Sequence, residues 1–286
     1  MPELPEAETI ARGLRVPLTG RRLSGIEILH GDVVEGGSLA LSRGLEGRWV
    51  HRVDRRGKNV VLGVGRGPRV DRRLVVNLGM SGRLLHREPD DGAPPPTHPA
   101  VRIGLTTQEG ASAGSLVYHD PRRFGRLRLL TPASYRAWSQ SLGPEPLAST
   151  YRFRDLAEGL ARSISPVRSW LLDQRRVAGV GNIYANEALF LAGIHPATPA
   201  ASIPGDRARR LHRALRKVLR EAVEARGTTL RDYRTAQGWE GSYGGALRVY
   251  GREGAPCPRC RTPVERIVFS NRSAFLCPRC QPDPDA

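Results

Sequence analysis

Apolar and polar positions fall into two regimes along the chain. Between residues 22 and 130, short runs rich in Val, Ile and Leu recur between Gly, Pro or charged residues, at 22–29, 48–54, 58–64, 74–78, 101–105, 116–119 and 127–130. Such runs predict strands, and a series of them with little helical periodicity predicts an antiparallel β-sandwich. A helix precedes the series, because Pro5 suits a first turn and Ile10 and Leu14 continue one face. The proline-rich stretch 88–99 reads as a surface loop. At 131–150, with Leu142-Gly143-Pro144-Glu145-Pro146-Leu147, the alternation stops, and this stretch reads as a linker.

Beyond it the period becomes helical. Segments 167–174 and 183–191 flank Arg175-Arg176-Val177-Ala178-Gly179-Val180-Gly181-Asn182, a turn with two glycines in which Asn182 stands where a helix cap is wanted. Leu211, Leu215, Val218, Leu219, Ala222 and Val223 form one apolar stripe closed by Gly227, the pattern of an amphipathic core helix. From 227 to 250 glycine, threonine and aromatic residues, including Gln237-Gly238-Trp239, predict a loop. Runs at 264–269 and 274–276 predict a hairpin presenting Asn271-Arg272-Ser273. The expected class is therefore α+β: a sandwich domain at 1–130, a linker at 131–150, a helical domain at 151–250 and a small module at 251–286.

Charge narrows the partners. Forty-five Lys and Arg face 28 Asp and Glu across 286 residues, a net +17, which calls for a polyanion, nucleic acid before an anionic membrane. No apolar run is long enough to span a bilayer, and the N-terminus lacks a secretion pattern, so a cytoplasmic protein without a membrane partner is expected. Arginine pairs such as Arg72-Arg73 and Arg209-Arg210 read mainly as solvated faces.

Two stretches carry chemistry of their own. Cys257-Pro258-Arg259-Cys260 and Cys277-Pro278-Arg279-Cys280 are C-x2-C pairs separated by 16 residues, the spacing of a four-thiolate zinc site. Four thiolates leave no open position for water, so one structural Zn2+ is expected. The other stretch is Met1-Pro2-Glu3-Leu4-Pro5-Glu6. Removal of Met1 would leave Pro2 as a secondary α-amine, neutral far more often near pH 7 than a lysine because its pKa is roughly 8 and not roughly 10. Such an amine can attack a carbonyl-like carbon and form a Schiff base. Glu3 and Glu6 lie three apart on one helix face beside it, as proton carriers or simply as acidic residues at a helix start.

The opening Met-Pro-Glu-Leu-Pro-Glu resembles that of bacterial formamidopyrimidine-DNA glycosylases, and so do Asp120-Pro121-Arg122-Arg123-Phe124-Gly125, Leu142-Gly143-Pro144-Glu145-Pro146-Leu147, Val180-Gly181-Asn182-Ile183-Tyr184-Ala185-Asn186-Glu187 and the cysteine module, in the same order. The resemblance implies a helix–two-turn–helix C-terminal domain with a zinc-finger hairpin. It implies a bifunctional glycosylase and abasic-site lyase that excises 8-oxoguanine and formamidopyrimidines from duplex DNA as a monomer, by base flipping and β,δ-elimination. Pro2 would be the nucleophile and Glu3 the proton carrier, with Lys58 and Arg272 assisting and Glu6 supporting. Met80, Arg122 and Phe124 would fill the gap left by the extruded nucleotide, a step that otherwise costs a few kcal/mol of unstacking. His98, Arg162, Arg168, Asn182, Tyr250 and Arg266 would contact the DNA, and the 227–250 loop would close over the base. By residue type alone, Met80 and Phe124 equally suit a core, Lys58 a solvated surface and Asn182 a cap. Asn77, Pro99-Ala100 and Arg162-Ser163-Ile164-Ser165 depart from the family pattern. Competing expectations are a sister glycosylase for oxidised pyrimidines, a non-catalytic damaged-DNA-binding protein on the same scaffold, and a general zinc-ribbon nucleic-acid module.

Overall fold

A computed structural model describes residues 2–89, 92, 96–229, 240–269 and 272–283. Met1, Pro94-Pro95, Gln237-Gly238-Trp239 and Asn271, on which parts of the sequence reading fall, lie outside them. The chain forms two compact units, Met1–Ser141 with Ala225–Ser242, and Leu142–Glu224 with Tyr243–Ala286.

The first unit begins with helix α1 (Leu4–Leu18). Leu4, Ala7, Ile10, Ala11, Leu14 and Leu18 repeat every three or four residues and are fully buried, so one face of α1 is apolar throughout and packs on the sheet. The strands are β1 (Arg22–Ile28), β2 (Val34–Glu35), β3 (Trp49–Arg56), β4 (Asn59–Gly65), β5 (Arg72–Asn77), β6 (Arg83–Arg87), β7 (Pro99–Thr106), β8 (Ser112–His119) and β9 (Arg126–Leu130). Among the described residues they join in the order β2-β9-β5-β4-β3-β1-β7-β8-β6. A single pair, Arg22↔Trp49, links β1 to β3. Val60, Leu62, Leu74 and Val76 on one side of that joint share a core with Ile103, Leu105, Leu116 and Tyr118 on the other. Two half-sheets thus close on one apolar interior, as a sandwich requires.

Four elements depart from the sequence reading. The short edge strand β2 runs parallel to β9, so the sheet is not wholly antiparallel. Helix α2 (Ser38–Leu45) and strand β6 were not anticipated, because β6 has charged ends and follows a glycine-flanked turn. Helix α3 (Pro132–Gln140) occupies half of the expected linker. It buries no residue, so it shows no apolar stripe. Its signal is the cap: Thr131 Oγ1 accepts the Ser134 amide at 3.2 Å and Pro132 opens the first turn.

The second unit holds α4 (Phe153–Ala161), α5 (Val167–Leu172), α6 (Asn182–Ala192), α7 (Gly205–Glu224) and the hairpin β10 (Glu265–Phe269) and β11 (Arg272–Leu276). Helix α6 is buried on nearly every side, and α7 lays Leu211, Leu215, Val218, Leu219 and Ala222 along it and α4. The hairpin sits on a small core of Phe190, Val249, Val264 and the cysteines.

Candidate functional site

In the first unit the start of α1 is a closed structure. Pro2 is buried, and Glu3 and Glu6 are each 2% exposed. The Glu3 amide donates to Glu6 Oε2 at 2.8 Å, which satisfies an orphan donor of the first turn. The other oxygen, Oε1, accepts the Thr228 amide at 2.8 Å, 222 residues away in sequence. Ala225–Ser242 therefore clusters with the first unit, although the sequence reading put these residues in the helical domain. Gly227 has φ +83°, and a Cβ there would lie 2.8 Å from Glu6 Oε1. Only glycine lets the returning backbone come this close.

The hairpin loop carrying Lys58 is braced to the same helix. Arg56 pairs with Asn59, leaving Gly57 and Lys58 as the loop. Arg55 donates from Nε to Glu8 Oε2 at 3.0 Å and from Nη1 to the Gly57 carbonyl at 2.9 Å, so α1 grips the loop through one guanidinium. Burial pushes the Glu8 carboxyl up, but hydrogen bonds and charge from Arg12 and Arg55 outweigh it and leave it below its ordinary value.

At the same end of the sheet, where Asn59 pairs with Asn77 and Asn77 with Arg126, two further loops carry exposed apolar side chains. Met80 is 44% and Phe124 53% exposed, which removes the core reading of both. The Arg122 guanidinium lies 4.6 Å from the Phe124 ring centroid. Beneath them Asp120, 1% exposed, accepts Ser81 Oγ at 2.7 Å, the Tyr118 hydroxyl at 2.9 Å and the Gly125 amide at 2.8 Å. Burial, followed by the neighbouring carboxylate, pushes the Tyr118 phenol far up, so it stays a donor. His98 is exposed, stands edge-on to His119 at 5.7 Å and meets Thr97 Oγ1 at 2.9 Å. Burial, then Arg83 and His98, hold His119 below the ordinary histidine value.

In the second unit Asn182 opens α6 behind Gly181 and does not cap it. Its Nδ2 donates to the Ser273 carbonyl at 3.1 Å, and its Oδ1 accepts Arg168 at 2.7 Å and Asn186 at 3.2 Å. Arg168 also reaches the Ser273 carbonyl at 3.0 Å and is 0% exposed, so it braces the α6 start against β11 from within. Burial, then nearby Arg272, lowers its pKa from the ordinary value. Arg162, by contrast, is an exposed cation 3.9 Å from Glu158. Arg272 is exposed and is the first residue of β11, paired with Phe269, so it belongs to the strand and not to the turn expected from the sequence. Arg266 meets Ser273 Oγ at 2.9 Å and Glu253 at 3.8 Å. Tyr250 lies 5.1 Å from the Phe275 ring. Its backbone is fixed by Glu187, fully buried, whose carboxylate accepts the amides of Arg248, Val249 and Tyr250 at 2.9–3.1 Å.

Asp120, Glu187, Asn186 and Thr228 escaped the sequence reading as site-building residues. Thr228 carries no local signal. The others do: Asn186 and Glu187 are polar residues inside an otherwise apolar helix, and buried carboxylates are rare unless partnered.

The four cysteine sulfurs lie within 4.8 Å of one another, with Cys257 to Cys280 at 3.9 Å, Cys260 to Cys277 at 3.4 Å and Cys260 to Cys280 at 3.6 Å. A tetrahedron with Zn–S bonds of about 2.3 Å has edges of about 3.8 Å, so these ligands fit one zinc ion. Hydrogen bonds involving Thr262 bring the Cys260 thiol down to about 6, while burial and the surrounding thiols push Cys280 up to about 12. A divalent cation relieves this crowding of four sulfurs. No helix among the described residues is long and apolar enough to cross a membrane.

Three domain families match: the formamidopyrimidine-DNA glycosylase N-terminal domain at residues 1–127, the formamidopyrimidine-DNA glycosylase H2TH domain at 142–234, and the zinc finger found in FPG and IleRS at 254–282. The chain is 44% identical over 288 residues to a formamidopyrimidine-DNA glycosylase of Gloeobacter violaceus and 45% identical over 285 residues to one of Thermus thermophilus, covering 98% of each chain in both comparisons. Among solved structures it is similar to a Lactococcus lactis FPG mutant in complex with Fapy-dG DNA, at TM-score 0.89 and 31% identity, covering 99% of this chain and all of that one. It is similar also to the L. lactis wild type in complex with oxidised-pyrimidine DNA, at TM-score 0.88, 30% identity and the same coverage.

Proposed function

The chain belongs to the formamidopyrimidine-DNA glycosylase family and is a DNA glycosylase of base excision repair; from that premise we propose the chemistry its residues perform. The substrate is duplex DNA carrying an oxidised purine, and the reaction couples base excision to strand cleavage in the cytoplasm, at the nucleoid. The amine of Pro2 attacks C1′ of the everted nucleotide, the base leaves with the electron pair of the glycosidic bond, and Glu3 supplies the proton that opens the sugar. The iminium draws electrons from the sugar and acidifies C2′–H, so successive β- and δ-eliminations expel the 3′ and then the 5′ phosphate. Hydrolysis of the remaining imine frees Pro2. Lys58 and Arg272 stabilise phosphate charge, and Glu6 holds the start of α1 in shape. Met80, Arg122 and Phe124 occupy the vacated stack, while Asn182, His98, Arg162, Tyr250 and Arg266 hold the backbone. Arg168 serves the same grip from beneath, through Asn182. The zinc held by Cys257, Cys260, Cys277 and Cys280 supplies folding energy to the hairpin when bound and takes no part in the reaction.

The observation that carries this reading is the enclosed Pro2-Glu3-Glu6 start of α1, within a chain similar to glycosylases over its whole length. Borohydride trapping tests it on duplexes with a single 8-oxoguanine or an oxidised pyrimidine opposite each base. The expected result is a covalent adduct on the 8-oxoguanine duplex. Absence of any adduct, or strand scission that survives chemical blocking of the terminal amine, refutes it. The solved oxidised-pyrimidine complex of the L. lactis relative is the reason for the second arm, and preferential trapping there would make this chain a pyrimidine enzyme.

A further inference from the structure

The two exposed apolar side chains Met80 and Phe124 stand on separate loops, 44 positions apart, and loops are ordinarily the mobile part of a sheet domain. Here one buried carboxylate joins them. Asp120 Oδ1 accepts the hydroxyl of Ser81, the residue after Met80, and Oδ2 accepts the amide of Gly125, the residue after Phe124. Tyr118, 1% exposed, donates its hydroxyl to the same Oδ2, and the Arg123 amide closes the turn on the Asp120 carbonyl at 3.2 Å. The backbones themselves touch. A Cβ at Gly79 would lie 2.6 Å from the Gly125 nitrogen, and one at Gly125 would overlap the Tyr118 hydroxyl. Both carboxylate oxygens are therefore engaged by donors that come from two loops and a strand.

We propose that Asp120 is a positioning residue that makes the Met80 and Phe124 loops one rigid wedge, so that base extrusion from duplex DNA, and not the chemistry at the sugar, depends on it. This rests on the reading that Met80 and Phe124 enter the stack. Side chains that must part stacked bases need a base that does not yield, since stacking opposes extrusion and a wedge that gives way no longer offsets it. The requirement is for acceptors in place rather than for charge. An asparagine can keep its oxygen toward Tyr118 and Gly125 and turn its NH2 to Ser81, whose hydroxyl accepts as well as donates. An alanine leaves the Gly125 amide and the Tyr118 hydroxyl without an acceptor.

The test uses the full-length protein in single-turnover assays on two substrates: a duplex with one 8-oxoguanine opposite cytosine, and a single-stranded oligonucleotide with an abasic site, which has no stack to open. Asp120→Ala is expected to slow duplex excision about 100-fold, by losing the wedge that offsets unstacking, while cleaving the single strand at the wild-type rate, and Asp120→Asn to match the wild type on both. Adding Met80→Ala to Asp120→Ala is expected to cost less than Met80→Ala alone. Should Asp120→Ala not fold, Tyr118→Phe carries the test, with a loss of about tenfold confined to the duplex. Equal slowing on both substrates, or duplex excision untouched in Asp120→Ala or Tyr118→Phe, overturns the proposal. A wild type that cuts neither substrate overturns the glycosylase chemistry beneath it, and the proposal with it.

Discussion

Replacing Glu6 by Gln probes a carboxylate that ties the start of α1 to the returning segment at Thr228. In the wild type its two oxygens accept the Glu3 and Thr228 amides, each at 2.8 Å, in a site where the residue is 2% exposed. The glutamine offers one oxygen, so its NH2 must face one of the two N–H groups. The variant loses a hydrogen bond to a charged group, worth about 1.5–3 kcal/mol, and leaves a buried donor unmet at about 1–3 kcal/mol. Because the amide turns to keep the better bond, a net cost of about 3 kcal/mol is expected, roughly two orders of magnitude in the population of the docked segment. Helix α1 keeps its apolar face, so the loss is local and reads out as sub-global opening. Hydrogen exchange followed by mass spectrometry or NMR should show the Thr228 amide losing about 100-fold of its protection while β4 and β5 keep theirs. Single-turnover excision should fall with it. Equal Thr228 protection in variant and wild type would refute the argument. Gly227→Ala should act in the same direction, since it combines φ +83° with a Cβ 2.8 Å from Glu6 Oε1.

Three further outcomes are expected. One zinc should be found per chain by elemental analysis, and chelation or Cys260→Ala should unfold the β10–β11 hairpin and abolish DNA affinity, because about 10–16 kcal/mol of metal binding is folding energy in such modules; an ordered hairpin without metal refutes this. Glu8 is held below its ordinary 4.5 by the folded state, so its contribution is full above that value and lost as pH falls through the lower folded value. Urea denaturation should accordingly show the gap between wild type and Glu8→Gln closing below pH 4.5, and a gap that stays constant there contradicts the assignment. Glu187→Gln breaks a fully buried carboxylate that holds three successive amides and lies 3.6 Å from Arg248. It should cost about 3–5 kcal/mol, measured as a fall of about 10 °C in Tm; a fall within a degree or two would show that the Tyr250 turn stands without it.

Features set by near neighbours were legible before any coordinates. The cysteine spacing announces its metal because two C-x2-C turns bring four sulfurs together whatever lies around them. The stripe from Leu211 to Val223 announces α7, and the alternating runs announce most of the sandwich, since a helix or strand buries a periodic face. Where the periodic face is missing the reading failed: α3 has no fully buried residue, β2 is two residues long, and Asn182 has a cap's identity but spends its amide on Ser273.

Tertiary structure decided the rest. It turned Arg168, expected at the DNA, into a buried brace, left Met80 and Phe124 as exposed tips where residue type alone also allowed a core, and joined Glu6 to Thr228 across 222 positions and Arg168 to Ser273 across 105. Local spacing carries no trace of such pairs, because their geometry exists only after the sheet and helices have met. A polar group withdrawn from water then takes whichever partner the packing presents to it.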